Sequence, residues 1–108
     1  MRTLILIAAV LGLGAAFIAD AADDAAAEAL VKKSGCLNCH SVDKKKAAPS
    51  YKDTAAKYKG KPDGEAKIVK HLTTNPTIKF DGKDEPHDSL KTKNEADVKN
   101  VANWILTR

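Results

Sequence analysis

Cys36-Leu37-Asn38-Cys39-His40 holds both cysteines of the protein. Cys-x-x-Cys-His is the pattern of covalent haem attachment, and its logic is geometric. Two thiols three residues apart on one helical turn can each add to a vinyl group of the same haem. The next residue, His40, then turns its imidazole toward the iron from one side. Three other chemistries share parts of this pattern. A thioredoxin-like redox pair needs a βαβ setting, which the surrounding sequence does not offer. A zinc site needs about four protein ligands, and His71 and His87 lack a zinc-finger spacing. A Cys36–Cys39 disulfide would close only a very small loop. The motif therefore predicts one covalent haem c.

Outward from the motif, the chain is short, at 108 residues, and allows a single small domain. Met1 and Arg2 open it with a basic start, and Leu4 to Ile18 is almost wholly apolar. Ala19-Asp20-Ala21 fits a small-x-small cleavage pattern. Residues 1–21 read as a secretory signal peptide, and residues 22–108 as the mature domain. The apolar run is shorter than the ~18–20 residues of a membrane span, so an uncleaved anchor is the weaker reading and no stable membrane insertion is expected after cleavage. Export from a bacterial cell would place the domain in the periplasm.

The mature part has few aliphatic and fewer aromatic side chains for a core. A domain of that size needs a staple or prosthetic group to be stable. The formal net charge is +4; loss of Arg2 and Asp20 with the leader leaves it unchanged. Lys44-Lys45-Lys46 is the one clustered run. The charge suits either a solvated surface or a docking face for redox proteins with acidic patches. Sparse aromatics, no basic groove pattern and an export signal exclude nucleic acid as a partner. A monomer is expected.

Proline and glycine divide residues 22–108 into four helical pieces, which predicts an all-α domain. The first runs from about Asp24 to Lys33, with Asp24 as cap and Gly35 as stop. Ala27, Leu30, Val31 and Ser34 share its inner face. The second runs from about Tyr51 to Tyr58, capped by Ser50 and stopped at Gly60. The third runs from about Asp63 to Thr73 and closes at Pro76. The fourth begins after Asn94 and carries Val98, Val101, Ala102 and Ile105 on one stripe. Asn75 to Lys93 is polar, with Pro76, Gly82 and Pro86, and reads as a long functional loop with weak strand signals.

These segments together resemble the small bacterial class I cytochromes c over essentially the whole mature chain. Gly35 leads into the haem motif. Ala48-Pro49-Ser50-Tyr51-Lys52-Asp53 is similar to the family's Gly-Pro-x-Tyr/Phe-Lys segment, and Ala55-Ala56-Lys57-Tyr58 continues it. Val101-Ala102-Asn103-Trp104-Ile105-Leu106 is similar to the family's Leu-Ala-x-Trp-Val/Ile-Leu ending. The resemblance implies a class I fold of about four helices wrapped around one haem, with the terminal helices crossing so that Val31 meets Val101 and Ile105. It also implies that the Pro49 carbonyl lies near the ring N–H of His40 and fixes its tautomer. Trp104 is expected to be core packing.

One departure from the family pattern is large. The family supplies a methionine sulfur as second axial ligand, from the loop before the last helix. The only methionine here is Met1. The family's ligand would fall near position 88, where the chain reads Asp84-Glu85-Pro86-His87-Asp88. Pro86-His87 resembles a Pro-Met step with histidine in place of methionine, so His87 is the expected ligand opposite His40. Asp84, Glu85 or Asp88 would accept from its other ring nitrogen. Other readings are open at this point: His87 exposed and the iron open, His71 as ligand though it sits on a helix among Lys67, Lys70 and Thr74, or ligation by Lys83 or Asn75.

The functional expectation is a periplasmic monohaem one-electron carrier with bis-histidine iron, and not an enzyme. Methionine ligation raises haem potentials, so its replacement by imidazole predicts a lower one. The alternative is a haem-based ligand or gas sensor in which His87 is displaceable. Peroxidase-like catalysis needs an open iron and a placed acid–base group, which nothing in the sequence demands.

Overall fold

The computed structural model describes residues 22–108, so the expected signal peptide and its cleavage site lie outside the described residues. Helix α1 is Asp24–Lys33, and a 3-10 turn follows at Cys36–Asn38. Helix α2 is Tyr51–Tyr58 and helix α3 is Gly64–Thr73. Strands β1, Thr77–Phe80, and β2, Lys83–Pro86, come next, and helix α4, Glu95–Leu106, ends the chain. The architecture is that of a small all-α domain with one added hairpin.

The helix starts follow capping chemistry, with two adjustments. Asp23, not Asp24, caps α1, its carboxylate accepting from the Ala26 N–H at 3.0 Å. Asp24 instead sits in the first turn, where its charge suits the helix dipole. Ser50 caps α2 by accepting from the Asp53 N–H, and Asn94 caps α4 by accepting from the Ala96 N–H. Helix α3 begins one residue later than expected. Asp63 precedes it without a side-chain cap bond and pairs with Lys67 at 3.1 Å. Gly64 is required there by proximity, because a Cβ at this position would stand 2.5 Å from the Tyr58 carbonyl oxygen.

Residues Asn75 to Lys93 differ from the expected long loop. Instead of a continuous loop, they contain an antiparallel hairpin with Thr77 opposite Pro86 and Phe80 opposite Lys83. Its turn is Asp81-Gly82, with φ of 49° and 74°. Two left-handed residues in succession define the turn that matches strand twist, and Asp-Gly favours it. Ile78 and Phe80 are half-buried while Thr77 and Lys79 are exposed, so one face of β1 is covered.

Helix α4 packs against α1, α2 and α3 and forms the centre of the core. Val98, Val101, Ala102, Trp104 and Ile105 from α4 meet Ala27 and Val31 of α1, Tyr51 of α2, and Ile68 and Leu72 of α3. A reciprocal pair pins the terminal helices together. The Asp23 N–H donates to Asn100 Oδ1 at 2.8 Å, and Asn100 Nδ2 donates back to the Asp23 carbonyl at 2.9 Å. The segment after the hairpin is tied in by Leu90 N–H to the Leu72 carbonyl and by Lys91 N–H to the buried Ser34 hydroxyl. The helices thus form a shell that opens toward the 3-10 turn and the hairpin.

Candidate functional site

Gly35 lets α1 end and the chain reverse. Its φ of 76° lies in the left-handed region, which costs a residue with a Cβ about 1–2 kcal/mol. The N–H groups of Cys39 and His40 then both donate to the Cys36 carbonyl, at 3.2 and 2.9 Å. This tight winding brings Cys36, Cys39 and His40 to one wall of a cavity of about 540 Å³. That volume falls within the ~300–1,000 Å³ usual for cofactor sites. Ile68, Leu72, Ile78, Phe80 and Ile105 supply apolar lining.

Both cysteines are free thiols and half-buried. Burial pushes the Cys36 thiol up, against a smaller opposing effect of its hydrogen bond with Tyr51. A thiol raised in this way is less reactive than one held down beside a cation or a helix N-terminus. Among the described residues no three His, Cys, Asp or Glu side chains gather as ligands for a bare metal ion.

His40 is held on two sides. Its Nδ1 lies 2.7 Å from the Pro49 carbonyl oxygen, and since that oxygen can only accept, Nδ1 carries the proton. The Tyr51 ring stacks on the imidazole at 5.1 Å between centroids and 17° between planes. Tyr51 in turn makes a T-shaped contact with Trp104 at 5.3 Å, and the Arg108 guanidinium lies over that indole at 4.8 Å. Burial pushes the Tyr51 hydroxyl well above its ordinary range, with the neighbouring Cys36 adding to the effect. Trp104 is a core residue, 2% exposed.

His87 faces His40 across the cavity, with ring centroids 6.1 Å apart and planes tilted by 59°. Two metal–imidazole bonds of about 2 Å each, with half a ring beyond each nitrogen, span a distance of this size. The residues present therefore fit a haem, with Cys36, Cys39 and His40 as the groups that would hold it. The main chain of His87 is anchored to the connector that follows α3: its N–H donates to the Pro76 carbonyl at 2.8 Å, and Asn75 Nδ2 donates to its carbonyl at 2.9 Å. Burial lowers the His87 pKa, with the charge of His40 adding to this and the backbone and carboxylate of Asp88 opposing it. The neutral form of the ring is thereby favoured.

Several expected details differ. No carboxylate of Asp84, Glu85 or Asp88 reaches His87 Nδ1, which is buried without a hydrogen-bond partner. Asp84 pairs with Lys79 across the hairpin instead. Asn75 spends its amide on His87, and Lys83 is an exposed residue of β2. His71 is exposed, as expected of a residue among Lys67, Lys70 and Thr74. It also lines the cavity, and its ring lies 4.3 Å from that of His87. Burial lowers its pKa, followed by the charges of His87, His40 and Lys57. The sequence signal was only partial: His71 is one residue before the core Leu72, on the flank of a buried stripe.

A largely apolar cavity walled by two thiols and His40 suits a covalently attached haem, the mark of a small c-type haem protein. The chain matches the family model for cytochrome c over residues 25–108. It is 35% identical over 80 residues to cytochrome c-551 of Pseudomonas denitrificans, covering 74% of this chain and 94% of that one. Among solved structures it is similar to the class 1 cytochrome MtoD from Sideroxydans lithotrophicus ES-1, at 44% identity and a TM-score of 0.76, covering 81% and 97% of the two chains. It is also similar to wild-type cytochrome c552 of Nitrosomonas europaea, at 32% identity and a TM-score of 0.58, covering 74% and 96%. The chain belongs to the cytochrome c family: it is a small class I c-type cytochrome, an electron carrier with one covalent haem c.

Proposed function

We propose that this cytochrome is a periplasmic one-electron carrier whose haem is attached through Cys36 and Cys39 and ligated by His40 and His87. The observation that carries the ligand assignment is the opposed pair of imidazoles 6.1 Å apart, in a chain whose only methionine is Met1. Bound haem c supplies a one-electron iron couple. Pro49 holds the proton on Nδ1 of His40 and leaves Nε2 as the donor atom. Tyr51 limits rotation of that ring by stacking. Ile68, Leu72 and Ile105 keep water from one side of the cavity, and Ile78 and Phe80 of the hairpin keep it from another.

With an imidazole on each side, no coordination position is left for a substrate, which favours a carrier over an enzyme. The main-chain bonds from Pro76 and Asn75 to His87 favour a permanent ligand over the displaceable one of a gas sensor. A periplasmic location rests on the leader read in residues 1–21 and on the bacterial relatives. No helix among the described residues is long and apolar enough to cross a membrane. The partners are redox proteins with acidic faces, met by exposed lysines beside the cavity such as Lys57.

Spectroscopy of oxidised holoprotein beside His87→Ala tests the assignment. Wild type should be low-spin. The variant should become high-spin and recover a low-spin spectrum on adding imidazole. Identical spectra for the two proteins would remove His87 as a ligand.

A further inference from the structure

The two imidazoles are held by different means. His40 has a hydrogen bond on Nδ1 and a stacked tyrosine. His87 has neither. Its hydrogen bonds to Pro76 and Asn75 fix only the main chain, and Leu90 N–H to the Leu72 carbonyl fixes the chain beyond it. The ring can still turn about its Cβ–Cγ bond, a torsion with a broad two-fold preference. A ligating histidine is ordinarily oriented by a hydrogen bond on its second ring nitrogen. In His87 that atom is buried and unpartnered. The ring packed against it is that of His71, 4.3 Å away and tilted by 57°, with the main chain of Asp88 close by.

We infer that His71 is a positioning residue, which fixes the plane of the His87 imidazole by packing against it from α3. The inference rests on the reading of His87 as axial ligand. His71 is well placed for this task. It lies beside Leu72, which is buried in the core, so its backbone is rigid. Asn75 and Pro76, just beyond the end of the same helix, supply the main-chain bonds that hold His87. Ring and backbone of His87 are therefore both referred to one platform. The angle between two axial imidazole planes sets the spacing of the iron d orbitals, and with it the anisotropy of the low-spin EPR signal. A 59° tilt held by packing on both sides predicts one well-defined species.

The test uses oxidised holoprotein of wild type, His71→Ala, His71→Phe and His87→Ala, read by frozen-solution EPR and by the rate of cyanide binding. Wild type should give a single low-spin signal. His71→Ala should remain low-spin, but with a shifted signal or several signals, and should bind cyanide about 10-fold or more faster, the scale on which supporting residues act on ligands. His71→Phe keeps a ring against His87 and should restore a single signal and slow binding. If His71→Ala matches wild type in both readouts, the positioning role is overturned. The ligand assignment then still stands, provided that His87→Ala is high-spin. If His71→Phe behaves like His71→Ala, packing is overturned as the means. If His71→Ala is high-spin while His87→Ala stays low-spin, His71 is itself the ligand and both readings fail.

Discussion

Tyr51 shows how much one side chain carries in a domain this small. It is 5% exposed, stacks on His40, and makes a T-shaped contact with Trp104. Tyr51→Ala should cost about 3–5 kcal/mol, as for other large aromatic truncations in cores. Tyr51→Phe keeps both ring contacts and should cost far less. Denaturant unfolding of the two holoproteins, compared at equal m-value, checks this. At this scale the sequence was most legible where chemistry demands a specific atom. Cys36, Cys39 and His40 are set by their spacing, and Ser50 and Asn94 by the need for an acceptor at a helix start. Asp23 and Asp24 offer the same carboxylate one residue apart, so sequence alone does not choose between them. His71 was harder to read because its role comes from residue 87, which approaches it only after the chain has folded back.

The elements show the same division between local and non-local causes. Four helices follow from stripes and caps that can be counted along the chain. The hairpin also had a local signal, Asp81-Gly82, but the flanking strands are short and half polar, and their covered face exists only because the cavity lies beneath Ile78 and Phe80. Gly82→Ala isolates the turn, since nothing stands within 4 Å of the added Cβ and only the φ of 74° is opposed. It should cost about 1–2 kcal/mol, the penalty for a left-handed residue with a Cβ. Gly82→Asn should cost less. Amide exchange at residues 77–86 should speed up in the alanine variant while that of α4 changes little. Gly64→Ala sets two effects against each other. Alanine gains about 1 kcal/mol of helix propensity over glycine. Its Cβ, however, would meet the backbone oxygen of Tyr58 at 2.5 Å, and backbone cannot give way as a flexible side chain can. The clash should win, for a net loss of about 1–3 kcal/mol, typical of overpacking, measured as a lower denaturation midpoint.

The charge of the whole molecule bears on its encounters more than on its fold. The net charge is +4 before haem propionates are counted, spread over many exposed lysines. These lysines are not equivalent. Lys67 and Lys79 beside the cavity are offset by Asp63 and Asp84. Lys57 lies over the Tyr58 ring instead, and Lys46 reaches the Leu37 carbonyl within the haem-attachment segment. Their charges are therefore the ones near the cavity that an approaching acidic protein would feel most. Fields of this kind act over about 8 Å at physiological ionic strength and about 3 Å in 1 M salt. They steer encounters and change association rates more than final affinity. Electron transfer from this cytochrome to an acidic redox protein should slow steeply as salt rises. Lys46→Ala combined with Lys57→Ala should lower the bimolecular rate roughly tenfold at low ionic strength, within the range that steering supplies. In 1 M salt the variant and wild type should converge. Neither lysine ligates or packs on His40 or His87, so the reduction potential should move little. Stopped-flow rates at several salt concentrations, set beside the two potentials, separate a docking effect from a change at the iron. Equal rates at low salt would show that these lysines only keep the surface solvated.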